Sequence, residues 1–173
     1  MAGACLVLIL LMGTCGYGDD DSDPIVGPAG DTETVQFEEL EMEVPEDWDS
    51  DTVAEDSVLR VANFELESDE AVDPITEMTQ EDVLLLLAGS IPNCDPATAP
   101  RGLPVAVQQL DLATDQPDIP RGHATACYAF ILEGEFLEDG PTYELLVDFG
   151  SESPAPRLID EVNDVLGTLQ QVD

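Results

Sequence analysis

The chain has 173 residues, with 39 Asp or Glu against four basic residues, all Arg, for a formal net charge of −35 at pH 7. A surface of that sign repels phosphate backbones and anionic headgroups, which excludes nucleic-acid binding and adhesion to a membrane by charge. Lysine is absent and the acids are spread along the chain, a distribution that points to adaptation to a salty medium, where a Debye length of about 3 Å at molar salt screens neighbouring carboxylates; the alternative is a specific acidic face for cations or a basic partner.

Ala2 to Met12 is an apolar run of about a dozen residues, too short to span a hydrocarbon core that needs about 20 and of the length of a signal-peptide h-region. Its close, Leu11-Met12-Gly13-Thr14-Cys15, resembles the lipobox of bacterial lipoproteins, in which small residues precede a cysteine that becomes lipidated. Met12 and Thr14 depart from the usual residues, and the n-region carries no Lys or Arg. The resemblance implies lipidation of Cys15 and attachment to the membrane through that lipid. The alternative is an ordinary secretory signal cut nearby, with Cys15 incidental and the product secreted. Residues 16–33 are rich in Gly, Asp and Pro and read as an acidic flexible linker extended by its own repulsion. Residues 34–173 then make one extracytoplasmic domain, long enough to bury a core.

Within that domain Thr34–Phe37 and Leu40–Val44 alternate with period two and predict two short strands joined at Glu38-Glu39. Pro45 ends the second, and Trp48, the sole tryptophan, is expected as a core anchor. Asp49–Asp56 reads as an acidic loop. Val58–Leu66 predicts a longer strand, and Pro74–Met78 a helical turn. Val83–Ala88 is a continuous apolar run that suits a buried strand better than a helix, because Gly89-Ser90-Ile91-Pro92 ends it too soon. Val105–Leu112 alternates loosely, and Thr125–Leu132 and Tyr143–Phe149 predict two further strands. Ala155, Leu158, Ile159, Val162, Val165, Leu166 and Leu169 fall at helical spacing behind Ser153 and Pro154, which predicts an amphipathic terminal helix capped at Ser153. Strands first and one helix last give an α+β fold, with an antiparallel sheet of about six strands backed by the C-terminal helix.

In this order Val44-Pro45-Glu46-Asp47-Trp48, Val58–Phe64, Asp82–Leu86, Cys127, Tyr143–Gly150 and Ile159–Leu166 resemble a group of uncharacterised exported domains and lipoproteins of high-GC Gram-positive bacteria. The resemblance spans roughly residues 34–170, with a more distant likeness to the PsbP and Mog1 α/β architecture. Relatives often carry Gly-Arg before the last strand, where this chain has Asp139-Gly140-Pro141. The resemblance implies no activity.

Cys94 and Cys127 are the only cysteines beyond Cys15, and in an oxidising compartment they are expected to pair as a disulfide. There is no Cys-x-x-Cys to lower a thiol pKa for redox work. His123 is the sole histidine, so no multi-histidine zinc site can form, and no Gly-x-Ser-x-Gly accompanies it. A structural histidine is the first reading; a small extracytoplasmic hydrolase using His123 with an acid is its rival. Asp19–Gly30 and Asp47–Val58 begin like EF-hand loops but lack the Gly at position six and the Glu at position twelve, so no metal site is expected. The arginines, Arg60, Arg101, Arg121 and Arg157, read as ion-pair partners for nearby acids. The combined expectation is a non-enzymatic cell-envelope interaction module with no cofactor and no catalytic residue, engaging an envelope protein or small ligand; a solute-binding domain is a further alternative.

Overall fold

A computed structural model of the chain describes residues 30–53, 57–66, 74–91, 103–112, 119–132 and 142–172. The leader, Cys15, the linker up to residue 29, most of the Asp19–Gly30 loop, Cys94 and Arg101 lie outside the described residues. Among the described residues there are two antiparallel sheets and one α-helix. The first strands are β1 (Thr32–Phe37), β2 (Leu40–Pro45), β3 (Asp49–Val53), β4 (Val58–Ala62) and β5 (Val83–Ala88). After them come β6 (Asp111–Leu112), β7 (Ala124–Ile131), β8 (Thr142–Phe149), the helix α1 (Pro156–Leu166) and β9 (Gln170–Gln171). The large sheet has the order β3-β4-β5-β8-β7-β6, and the small one β1-β2-β9.

The hairpin β1–β2 forms where period-two alternation predicts it. Phe37 pairs with Leu40 across the two-residue turn, and Leu40, Met42 and Val44 are buried while Glu43 is exposed. Glu38 takes a left-handed backbone, with φ of 53°, as the first turn position of a tight hairpin requires; for a residue with a side chain this costs about 1 kcal/mol or more. In β5 the run Val-Leu-Leu-Leu-Leu-Ala has no polar alternation because both faces of this strand are covered. Val83, Leu85 and Leu87 enter one apolar cluster, whereas Leu84 and Ala88 enter another.

The larger cluster joins one face of the large sheet (Leu59, Val61, Leu85, Val147, Phe149) to Phe37, Leu40, Met42 and Val44 of the small sheet. The apolar stripe of α1, Leu158, Val162, Val165 and Leu166, belongs to the same cluster, as does Trp48. The smaller cluster lies on the opposite face, where Ala62, Leu84 and Leu146 meet Leu66, Ile75, Ile91 and Ile119 from the connecting segments.

Several expectations need correction. One sheet becomes two, because a pair of residues after the helix, Gln170–Gln171, adds to β2 and completes a separate sheet around the first hairpin. The expected acidic loop begins as a strand: Asp49–Val53 pairs with Val58–Ala62 at the edge of the large sheet, where its half-buried acids discourage further strand addition. The strand expected over Val58–Leu66 stops at Ala62, since Asn63 turns the chain and its side chain bonds to Val83 N and Glu81 O. Only Asp111–Leu112 of the segment 105–112 pairs as a strand. Ser153 does not cap α1; the helix starts at Pro156 behind Ala155 with no side-chain cap, which the proline tolerates because it has no N–H to satisfy. The helical turn foreseen near Pro74 is a short 3-10 turn, Pro74–Glu77.

Gly150 closes β8 under a close constraint. A Cβ there would stand 1.9 Å from the carbonyl oxygen of Thr79, and the Gly150 amide donates to the Asp82 carbonyl at 3.0 Å. The turn before β5 is therefore seated directly on the end of β8.

Candidate functional site

Strand register gathers the polar interior onto one face of the large sheet. Asp49, Ala62, Leu84, Asp148, Thr125 and Asp111 form one cross-strand row. Asp51, Arg60, Leu86, Leu146 and Cys127 form the next, and Glu144 lies in the row beyond, opposite Ala88. The buried charged or polar side chains of the described residues are Arg60, His123, Thr125, Glu144 and Asp148. Side chains alternate across a strand, so the four that lie on strands share the face that carries the smaller apolar cluster.

His123 immediately precedes β7 and is 7 % exposed; Asp148 on β8 is fully buried. The ring Nδ1 lies 2.9 Å from Asp148 Oδ1, so its N–H donates to the carboxylate. This is the orienting half of a catalytic triad, in which an acid holds one ring nitrogen and the other serves as base. Among the described residues no Ser, Thr or Cys side chain bonds to the ring. The pair instead ties the start of β7 to the end of β8, beside the Ala124 amide that donates to Ser151 O at 3.1 Å.

Arg60 forms a two-point contact with Asp51, its Nε donating to Oδ1 at 2.6 Å and its Nη2 to Oδ2. The hydrogen bond that Arg60 donates to Asp51 raises the guanidinium pKa, burial opposes the shift, and the charges of Asp51 and Asp49 add to it. Glu144 accepts from the Ile91 amide at 2.5 Å, and Asp49 accepts from the Leu66 amide at 2.8 Å. Asp51 and Asp49 of the EF-hand-like Asp47–Val58 stretch are thus engaged by an arginine and a backbone amide. Arg157 pairs with Glu161 at 3.5 Å on the exposed side of α1, and Arg121 is exposed.

Cys127, half-buried on β7, is disulfide-bonded; Cys94, its expected partner, lies outside the described residues. On the larger-cluster side Tyr143 OH donates to Glu38 Oε2 at 2.6 Å. Burial raises the phenol pKa above its ordinary value, and the bond to Glu38 and the charges of Glu38 and Glu39 push it the same way.

The described surface also carries an open groove of about 490 Å³ between the small sheet and the segment 103–105. Thr34, Glu41 and Glu43 line it from the hairpin, Leu103 and Val105 from the facing segment, and Thr168 to Gln170 from the chain after the helix. Thr168 shapes its floor: its hydroxyl accepts from the Glu43 amide at 2.8 Å and bonds to the Val165 carbonyl at 2.7 Å. Gln170 holds Glu41 through a 2.7 Å bond. Val105 is 57 % exposed at the rim.

Sequence reasoning singled out His123 but not Asp148 as its partner, and it missed the groove. A signal for Asp148 was present: in Tyr143–Phe149 the acids Glu144 and Asp148 are four apart, hence on one face of a strand otherwise built of apolar residues. The groove had no such signal, because its walls come from residues 34–43, 103–105 and 167–170, far apart in sequence. Among the described residues no helix is long and apolar enough to cross a membrane. No protein-family model, curated protein or solved structure matches the chain.

Proposed function

We propose that this chain is a non-enzymatic interaction module of the cell envelope, exported by its leader, tethered through a lipid on Cys15 and adapted to high salt. In this reading the likeness to exported domains and lipoproteins of high-GC Gram-positive bacteria reflects common descent, and α1 with the first hairpin forms the layer backing the six-stranded sheet. The observation that carries the reading is the commitment of the chemistry-bearing side chains to the interior. His123 is held by Asp148, Arg60 by Asp51 and Glu144 by the Ile91 amide, while the groove presents carboxylates, small polar groups and aliphatic side chains to solvent. The disulfide at Cys127 supports an oxidising compartment, in which Cys94 is its partner.

Fatty-acid labelling of the wild type and of Cys15→Ser tests the tether: label is expected on the first only, and equal labelling would overturn it. Binding of Cys15→Ser protein to isolated envelopes at molar salt tests the module. Val105→Arg is expected to weaken that binding about tenfold, or about 1.4 kcal/mol, and binding unchanged by the substitution would remove the groove from the account.

The His123–Asp148 pair favours a second reading, a small hydrolase in which the free ring nitrogen serves as base. His123→Gln separates the two. Loss of a measured ester or amide hydrolysis with the fold retained would select the hydrolase, and retention of envelope binding selects the module.

A further inference from the structure

Strand edges are exposed templates for pairing with another chain, and folded proteins blunt them with charge, shortness or cover. Of the four edges here, β3 carries Asp49 and Asp51, and β6 and β9 are two residues each. The fourth, β1, is six residues long, Thr-Glu-Thr-Val-Gln-Phe, with one acid. In a chain of net charge −35 that scarcity of charge is unusual, and among the described residues no strand pairs with the outer side of β1.

The register fixes which groups face outward. Phe37 and Leu40 flank the two-residue turn, and the pairing runs to Thr32 opposite Pro45; one step further the Asp31 carbonyl accepts from the Glu46 amide at 3.1 Å. Odd-numbered residues of this strand therefore bond toward β2, and the N–H and C=O groups of Thr32, Thr34 and Gln36 point to the open side.

We infer that β1 pairs antiparallel with β1 of a second copy of this chain, centred on Thr34. In that register Thr34 of one copy faces Thr34 of the other, Thr32 faces Gln36, and Glu33 faces Val35. No acid stands opposite an acid, all three outward-bonding residues are uncharged, and Thr–Thr is a favourable cross-strand pair. The two small sheets become one six-stranded sheet, β9-β2-β1-β1-β2-β9. Thr34 also lines the groove, so the pairing brings the two grooves onto one surface. A six-residue strand contact is below the area of a standard stable interface, and two bodies of this charge repel in dilute buffer. The association is weak and is promoted by molar salt, which screens that repulsion.

The test uses the whole chain carrying Cys15→Ser, followed by sedimentation equilibrium and by amide hydrogen exchange at about 0.1 M and about 3 M KCl. A monomer is expected in dilute salt and a concentration-dependent dimer at high salt. With dimer formation the amides of Thr32, Thr34 and Gln36 are expected to slow at least tenfold, while those of Glu33, Val35 and Phe37, already bonded to β2, do not change. Thr34→Pro removes only an outward donor, which an edge strand tolerates, and is expected to abolish the dimer with circular dichroism unchanged. Thr34→Glu keeps every bond within the hairpin and sets two carboxylates face to face; it is expected to weaken the dimer at least tenfold at about 0.5 M KCl. A wild type that stays monomeric at high salt up to millimolar protein overturns the inference and leaves the edge to a foreign strand. So does a dimer that both variants retain, or protection that does not alternate along β1.

Discussion

On one face of the large sheet, Leu59, Val61, Leu85, Leu145, Val147 and Phe149 belong to one apolar cluster with the helix stripe and the hairpin. On the other face the same strands present Arg60, Leu86, Glu144, Leu146 and Asp148 to a thinner cover of connecting segments. The first face is held by apolar area, whose worth grows with each methylene removed from water. The second depends on polar groups whose partners must all be present, because a buried polar atom that loses its partner costs more than the bond contributed. Strength and specificity are thus divided between the two faces.

Adjacent residues of β8 give the most direct probe. Leu145 is 0 % exposed on the apolar face and Leu146 3 % on the mixed face. Leu145→Ala is expected to cost about 4 kcal/mol and Leu146→Ala about 2–3 kcal/mol, because the thinner cover can relax into the space left behind. Urea unfolding checks both, and equal costs would erase the distinction. Next comes Asp148→Ala, expected to cost about 3 kcal/mol by stranding a buried imidazole. The double substitution Asp148→Val with His123→Leu is expected to be less damaging than the single one, since two apolar groups leave nothing unsatisfied; thermal melts of the set measure the coupling.

Gly150→Ala is expected to cost about 1–3 kcal/mol, because the obstruction at Gly150 is the Thr79 backbone oxygen and not a flexible side chain. The smallest effect concerns pH. Burial raises the pKa of Tyr128, opposed by its backbone bond with Gln108, and that of Tyr143 is raised as well. Both phenols are un-ionised below pH 10 in folded and unfolded chains alike, so their contribution is intact there. Above pH 10 the unfolded chain ionises first, and stability is expected to fall as pH climbs toward the folded values. Denaturation midpoints between about pH 9 and 11 follow this, and Tyr143→Phe should flatten part of the slope.

Much of the fold was legible where one period dominates. The alternation in Leu40–Val44, the unbroken run Val83–Ala88 and the 3.6-residue spacing from Leu158 to Leu166 each led to the element observed. Asp49–Val53 was not legible, because an edge strand carrying two acids has the composition of a loop and is defined by its partner β4. Gln170–Gln171 was missed for a similar reason: two residues carry no period. Of the candidate site, His123 stood out as the single imidazole, yet its meaning depends on the β7–β8 register, which only tertiary pairing sets.

Glu38 joins two scales of organisation. It sits at the position of the β1–β2 turn where glycine would relax the backbone, and its carboxylate reaches from the small sheet to Tyr143 of the large one. A substitution chosen to ease the bend would therefore loosen the seam between the sheets. The residue best suited to its own neighbourhood is not the one best suited to the molecule, and a search for stabilising changes that ranks positions one at a time would choose wrongly here.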